Sequence, residues 1–238
     1  MSLRLWSVVF DANDRVALAR FWSDALGWTY NEEPEGYSSV TTSDGTLRRI
    51  EFVHAPNEKR TKNRIHFDLT DRSGDLHAAV SRLIDLGARH IDIGQGPESD
   101  NVVLTDPEGN EFCVGGPGSF VDDISFVGSI TCDGSPAVGY FWSEAFGWPL
   151  VWDQDDETAI RSPDGRGQFI TWGPPIPPKV QKNRLHLDVA PPSDGDQLAE
   201  VERLTALGAR RVDIGQGDVP WVVMADPDDN EFCVLTPR

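Results

Sequence analysis

The order of apolar and polar positions predicts one run of elements, met four times along the chain. Trp6 to Phe10 is a short apolar run, which predicts a strand. Asn13 or Asp14 follows as a helix cap. Val16, Leu18, Ala19, Phe21, Trp22, Ala25 and Leu26 then recur at helical spacing, and Gly27 stands where a left-handed C-cap belongs. Residues 28–53 break at Glu35-Gly36 and at Ser43-Asp44-Gly45 into three short strands. After the polar linker Pro56 to Thr61 the order repeats. An Arg-x-His-x-Asp strand leads to a helix that opens at Ser73 or Asp75. Leu76, Ala79, Val80, Leu83 and Ile84 share one face of that helix, and Gly87 ends it. His90 to Ile93, Val102 to Thr105 and Glu111 to Val114 read as three more strands. The last two are joined by the tight turn Asp106-Pro107-Glu108-Gly109-Asn110.

The second half restates the first. Lys62-Asn63-Arg64-Ile65-His66-Phe67-Asp68-Leu69 returns as Lys182-Asn183-Arg184-Leu185-His186-Leu187-Asp188-Val189, an offset of 120 residues. Phe21-Trp22 and Gly27-Trp28 return as Phe141-Trp142 and Gly147-Trp148. Asp106 through Val114 returns as Asp226 through Val234, and Asp92 through Gly96 returns as Asp213 through Gly217, slipped by one residue. Ser135-Pro136 is a cap followed by Pro in the first helical turn. The Pro-rich run Gly173 to Pro178 is a stiff, extended linker. Gly115-Gly116-Pro117-Gly118 separates the halves. The expected fold is α+β. It has two tandem domains, 1–116 and 119–238, each of two strand-helix-strand-strand-strand units that form a curled mixed sheet. Sequence leaves open whether units pair within a half or across halves.

Strand alternation sorts the residues by face. Ile65, Phe67 and Leu69 are to pack under a helix, which turns Arg64, His66, Asp68 and Thr70 the other way. The twin strand sets Leu185, Leu187 and Val189 against Arg184, His186 and Asp188. Glu111 with Cys113, Glu231 with Cys233, and Arg49 with Glu51 fall on the same polar side. A sheet curling around that side makes a ligand hollow. Arg64, His66, Asp68, Cys113, Arg184, His186, Asp188, Glu231 and Cys233 are its expected lining. Trp221, which has Asn101 as its counterpart, is added as an aromatic wall suited to a flat or cationic ligand.

Charge and composition narrow the functions. A net charge of −18 argues against nucleic acid and against anionic membrane surfaces, both of which are bound through Lys and Arg. No apolar run has the length of a membrane span, and the first residues lack the core of a signal peptide, so a cytoplasmic protein is expected. Three cysteines without close spacing argue against a disulfide framework and against a structural zinc site. Gly94-Gln95-Gly96 is read as a turn, because no helix follows it to bind phosphate. No Gly-x-Ser-x-Gly, Cys-x-x-Cys or His-Glu-x-x-His run occurs.

Ala19 to Trp28, Lys62 to Asp68, Leu86-Gly87-Ala88-Arg89 and Asp106 to Val114, each repeated in the second half, resemble the vicinal oxygen chelate superfamily. This is the fold of glyoxalase I, bleomycin-resistance proteins and extradiol dioxygenases. The chain is most similar to its glyoxalase-like branch. In metal-dependent members the ligands come from the first and fourth strands of two units. Carried over, the resemblance implies Ser7, Glu51, His66 and Cys113 in the first domain. Ser7 stands where His or Gln is usual, and Cys113 where Glu is usual. The second domain offers Val127, Thr171, His186 and Cys233, which does not make a metal site.

Two readings follow from the resemblance. In the first, the protein binds a small molecule in a concave cleft without a complete catalytic metal site. In the second, a divalent metal (Zn, Ni, Mn or Fe) held by Glu51, His66 and Cys113 supports lyase or isomerase chemistry, with His66, Glu51 or Glu111 as catalytic candidates. Oxygen activation fits less well, since the two-His-one-carboxylate set is incomplete. Single-domain relatives pair to complete their assembly; the covalent repeat supplies that pairing internally, which suits a monomer or a homodimer.

Overall fold

The computed structural model describes residues 3–43, 47–56, 58–71, 73–94, 96, 100–116 and 126–238. Asp44-Gly45, Gln95 and Pro117-Gly118, read above as parts of breaks, a turn and a boundary, lie outside the described residues.

Four units follow one another. The first is β1 (Arg4–Ala12), α1 (Arg15–Leu26), β2 (Thr29–Glu32), β3 (Ser38–Thr41) and β4 (Arg49–His54). The second is β5 (Ile65–Thr70), α2 (Leu76–Asp85), β6 (Arg89–His90), β7 (Val102–Thr105) and β8 (Glu111–Gly115). The third is β9 (Val127–Asp133), α3 (Pro136–Phe146), β10 (Leu150–Gln154), β11 (Glu157–Ile160) and β12 (Phe169–Gly173). The fourth is β13 (Leu185–Ala190), α4 (Gln197–Ala206), β14 (Arg210–Arg211), β15 (Val222–Ala225) and β16 (Glu231–Val234). No described helix is long and apolar enough to cross a membrane.

Local chemistry sets the element ends. The Asp14 side chain accepts from Ala17 N–H and starts α1; Gly27, at φ 69°, ends it by donating its N–H to the Ser23 carbonyl. Asp75 and Asp196 cap α2 and α4 in the same way. Ser135 makes no such bond within α3; its N–H donates instead to the Asp228 carboxylate at 2.6 Å. The strand expected over His90 to Ile93 stops at His90. Just beyond, the Asp92 side chain accepts from Gly94 N–H and turns the chain.

The sheets are not built half by half. One runs β14-β15-β16-β13-β1-β4-β3-β2 and joins the fourth unit to the first. The other runs β10-β11-β12-β9-β5-β8-β7-β6 and joins the third unit to the second. The seams are the antiparallel pairs β1 with β13 and β5 with β9. The apolar faces of the two sheets meet: the rings of Phe10 on β1 and Phe67 on β5 lie 5.7 Å apart, with Trp22 of α1 edge-on to Phe67 at 5.4 Å. One continuous core results, and the polar faces of the two sheets are turned away from it.

Two guanidinium groups cross between the sheets. Arg184, 2 % exposed, donates to Asn110 Oδ1 at 3.1 Å, to the Asp11 carbonyl at 3.2 Å and to Glu108 Oε2 at 2.8 Å. Its twin Arg64 donates to the Asp228 carbonyl at 2.7 Å, to Asn230 Oδ1 at 3.2 Å and to the Pro177 carbonyl. Each arginine leaves one sheet and grips the turn between the last two strands of the other. Inside those turns Asp106 and Asp226 accept from backbone N–H groups and from the indoles of Trp22 and Trp142. Burial still pushes both carboxyls up to about 6. Arg64 and Arg184, expected to line the hollow, are therefore turn clamps. They precede the first residue of their strands, where buried carbonyls and a carboxylate claim them.

Arg184→Ala removes the charge that pairs with Glu108 and one donor each from Asn110 Oδ1 and the Asp11 carbonyl. A loss of roughly 3–5 kcal/mol in unfolding free energy is expected, read from urea denaturation. A loss below about 1 kcal/mol, the range of a surface pair, would show that the clamp does not hold the sheets together.

Candidate functional site

Each polar sheet face carries one cluster. On the first sheet Val8, Phe10, Ile50, Phe52, Leu187 and Val189 enter the core. Alternation then leaves Ser7, Glu51, His186 and Asp188 on the opposite face. The register sets Ser7 beside Asp188, Val9 beside both His186 and Glu51, and Asp188 beside Cys233. On the second sheet Ser129 lies beside Asp68, Thr131 beside both His66 and Thr171, and Asp68 beside Cys113.

This pairing redistributes the expected site. Glu51 and His66 do not share a hollow, because the first unit pairs with the fourth; Glu51 belongs with His186. Val127 is likewise not the counterpart of Ser7. Val127 lies beside Leu69, and Ser129 occupies the place opposite Asp68 that Ser7 occupies opposite Asp188. The constant offset of 120 fails in this strand, where the equivalence is two residues longer. Alternation around the core residue Ile130 carried the signal for Ser129 and Thr131.

In the first hollow His186 Nε2 lies 3.4 Å from Asp188 Oδ1. Ser7 Oγ, His186 Nδ1 and Asp188 Oδ1 are buried, and none makes a hydrogen bond among the described residues. Glu51 is held by Arg49 at 2.6 Å, and Arg49 also binds Glu33 at 2.8 Å and donates to the Tyr37 hydroxyl at 2.9 Å. Burial, then the charge of Asp188, raises the Glu51 carboxyl above its ordinary range; Arg49 offsets part of this. Burial, then Asp188, also pushes the Cys233 thiol far up.

The second hollow is better satisfied. Asp68 Oδ2 accepts from Thr131 Oγ1 at 2.7 Å and from Ser129 Oγ at 3.2 Å, and Thr171 donates to Thr131 at 3.1 Å. His66 Nε2 stands 3.3 Å from Asp68 Oδ1. Burial raises the Asp68 carboxyl, but the neighbouring His66 with Thr131 and Ser129 outweighs it and leaves the group below its ordinary value. His66 Nδ1 and Asp68 Oδ1 make no hydrogen bond among the described residues. Phe169 and Arg161, stacked at 4.7 Å, replace the Arg49 cluster.

The remaining expected residues are engaged elsewhere. Glu111 pairs with Lys59 at 2.5 Å and accepts from Asn63 N–H at 3.1 Å. Glu231 pairs with Lys179 and accepts from Asn183 N–H at 3.2 Å. Both close the loop ahead of their histidine strand, and neither carboxylate is free as a base. Trp221 is 38 % exposed just ahead of β15.

His66, Asp68 and Cys113 place ligand atoms within 4.8 Å of one another, as do His186, Asp188 and Cys233. The four positions that the family's metal would use are, in the first hollow, Ser7, Glu51, His186 and Cys233. They do not fit it: Arg49 neutralises Glu51, and Ser7 brings only a hydroxyl.

Residues 7–115 and again 127–235 match the family described as Glyoxalase-like domain. Among solved structures, glyoxalase I from Zea mays aligns at 13 % identity over 99 % of this chain and 92 % of its own, with a TM-score of 0.62. A putative dioxygenase from Bacillus subtilis subsp. subtilis str. 168 aligns at 13 % identity over 98 % and 84 %, with a TM-score of 0.67. At that identity they show the fold. No curated protein sequence matches the chain.

Burial pushes Cys113 up to about 12, with Asp68 adding to the effect, and raises Cys132 and Cys233 further. At about pH 8 none of the three thiols is expected to react promptly with Ellman's reagent in the folded protein, and all three after denaturation. Prompt reaction of Cys113 and Cys233 would show exposed thiolates in the hollows.

Proposed function

We propose that this chain, a member of the glyoxalase-like domain family within the vicinal oxygen chelate superfamily, binds a small polar molecule on the polar faces of its two sheets. The observation that carries this reading is a set of buried polar atoms in matching places: Ser7 Oγ and His186 Nδ1 on one sheet and His66 Nδ1 on the other make no hydrogen bond among the described residues, and Asp188 Oδ1 and Asp68 Oδ1 have only the ring nitrogen of their own histidine beside them, at 3.4 and 3.3 Å. A buried polar atom left unpaired costs about 1–3 kcal/mol. Groups held in that state twice, by the same strand pattern, are donors and acceptors kept ready for a ligand. The turn clamps and the core fix the strands that carry them, so the seats are formed before binding.

The test is tryptophan quenching and thermal shift across a panel of small amines, acids, alcohols and sugars. A binding member of the panel is expected to lose affinity by about tenfold in His186→Ala or in His66→Ala, according to the hollow it enters, through loss of one charged or strongly polar contact. Silence across the panel, or binding untouched by either substitution, would refute the reading.

A second reading rests on the His-Asp-Cys groupings. One nitrogen, one carboxylate oxygen and one sulfur within 4.8 Å are donors that Zn²⁺ accepts, with a coordination position left over for solvent or substrate. The metal would supply Lewis acidity there. His186, Asp188 and Cys233 would hold it in the first hollow, and His66, Asp68 and Cys113 in the second. Cobalt(II) is the probe: thiolate ligation gives a charge-transfer band in the near ultraviolet. The band is expected to vanish in Cys113→Ser with Cys233→Ser. No band at saturating cobalt would dismiss metal at both places.

A further inference from the structure

We propose that the hollow of the first sheet is a seat for a protonated amine that carries an apolar body. The inference rests on the ligand-binding reading above and narrows it to one hollow and one charge.

The atoms of this hollow that lack a hydrogen bond are two acceptors and the Ser7 hydroxyl, which can take either role. Asp188 Oδ1 accepts only. His186 Nε2, 3.4 Å from that oxygen, is the nitrogen favoured to carry the ring proton, which leaves Nδ1 as an acceptor in the neutral ring. Ser7 is 0 % exposed, and its Oγ, on the strand position directly across from Asp188, makes no hydrogen bond among the described residues. A primary ammonium brings three N–H donors and a positive charge to such a set. A carboxylate or phosphate would set its charge against Asp188 and Glu51. The wider surroundings agree: Glu33, Glu51 and Asp188 stand against Arg49 and Arg238. The upward push that Asp188 gives the Glu51 carboxyl marks these two anions as near neighbours.

The same face supplies the apolar half, through the half-buried Trp6, Val212 and Ile214. Ala190, Val223, Cys233 and Leu235 form a small cluster separate from the main core, with Trp6, Val212 and Ile214 packed against it. Ala190 continues the alternation of His186 and Asp188, and Cys233 lies between Asp188 and Val223 in register. A cation of the chain already reaches this region. The Arg238 guanidinium lies 4.8 Å from the centre of the Trp6 ring, and its charge draws the Glu51 carboxyl down against the larger upward causes. The second hollow lacks this character. There Thr131 and Ser129 already donate to Asp68, Thr171 replaces Glu51, and Arg161 replaces an acidic wall.

The experiment is calorimetric titration of the full chain with hexylamine, hexanol and hexanoate near neutral pH. Hexylamine is expected to bind saturably and about tenfold or more tighter than hexanol, with hexanoate weakest, as one added charged contact would give. Asp188→Asn is expected to bring amine and alcohol within about twofold of each other. Ser7→Ala, a smaller change that keeps the proposal testable if Asp188→Asn does not fold, is expected to weaken hexylamine about threefold or more. Hexanol binding as tightly as hexylamine, or a wild-type preference kept in both variants, would overturn the amine seat. If hexanol or hexanoate binds at least as tightly as hexylamine and that binding is lost in His186→Ala, the ligand-binding reading stands and the amine seat falls. If no probe here and no member of the broader panel binds, both fall together.

Discussion

The structure depends on two buried guanidinium groups that cross between sheets. Arg184 and Arg64 each reach from the base of a central strand into the turn that ends the opposite sheet. A guanidinium without its acceptors is among the most costly groups to bury, so these arginines allow only arrangements in which both turns are in place. The turns are themselves specified from within, since Asp106 and Asp226 accept from their own backbone and from a core tryptophan. Helix caps join the same assembly. Asn13 and Asp14 donate backbone N–H groups to Glu108, and Ser135 donates to Asp228. Sheet, helix start and turn are thus fixed as one unit, twice.

From this frame the two polar clusters follow. Apolar faces that meet across Phe10 and Phe67 leave each sheet a polar face turned outward. The histidine and aspartate two residues apart on β5 and β13 must share that face, because side chains alternate along a strand. The neighbouring carboxylates Glu111, Glu231 and Asp11 are engaged by lysines, and Asp133 binds Lys62 through one oxygen while its other oxygen makes no hydrogen bond among the described residues.

The repeat has kept its frame and changed its hollows. His-x-Asp and the facing cysteine persist in both. Around them one hollow has Glu51 and Arg49 where the other has Thr171 and Phe169. The ladder thus persists without a matching set of partners around it.

Much was legible in the sequence. Four units, their order, the helix caps, the two faces of each central strand and the family resemblance all rest on periodicity and local chemistry, which nearest neighbours along the chain decide. The roles of Arg64 and Arg184 were not legible, because alternation says which way a side chain starts and not which distant carbonyl it ends on. The grouping of Glu51 with His186 was hidden for a different reason. The connections between consecutive units are of similar length, so the chain alone permits pairing within a half or across halves. Only the tertiary structure selected the latter, through the β1–β13 and β5–β9 seams and the buried arginines that lock them. The sequence determined what each strand presents; the pairing of distant strands decided which residues meet.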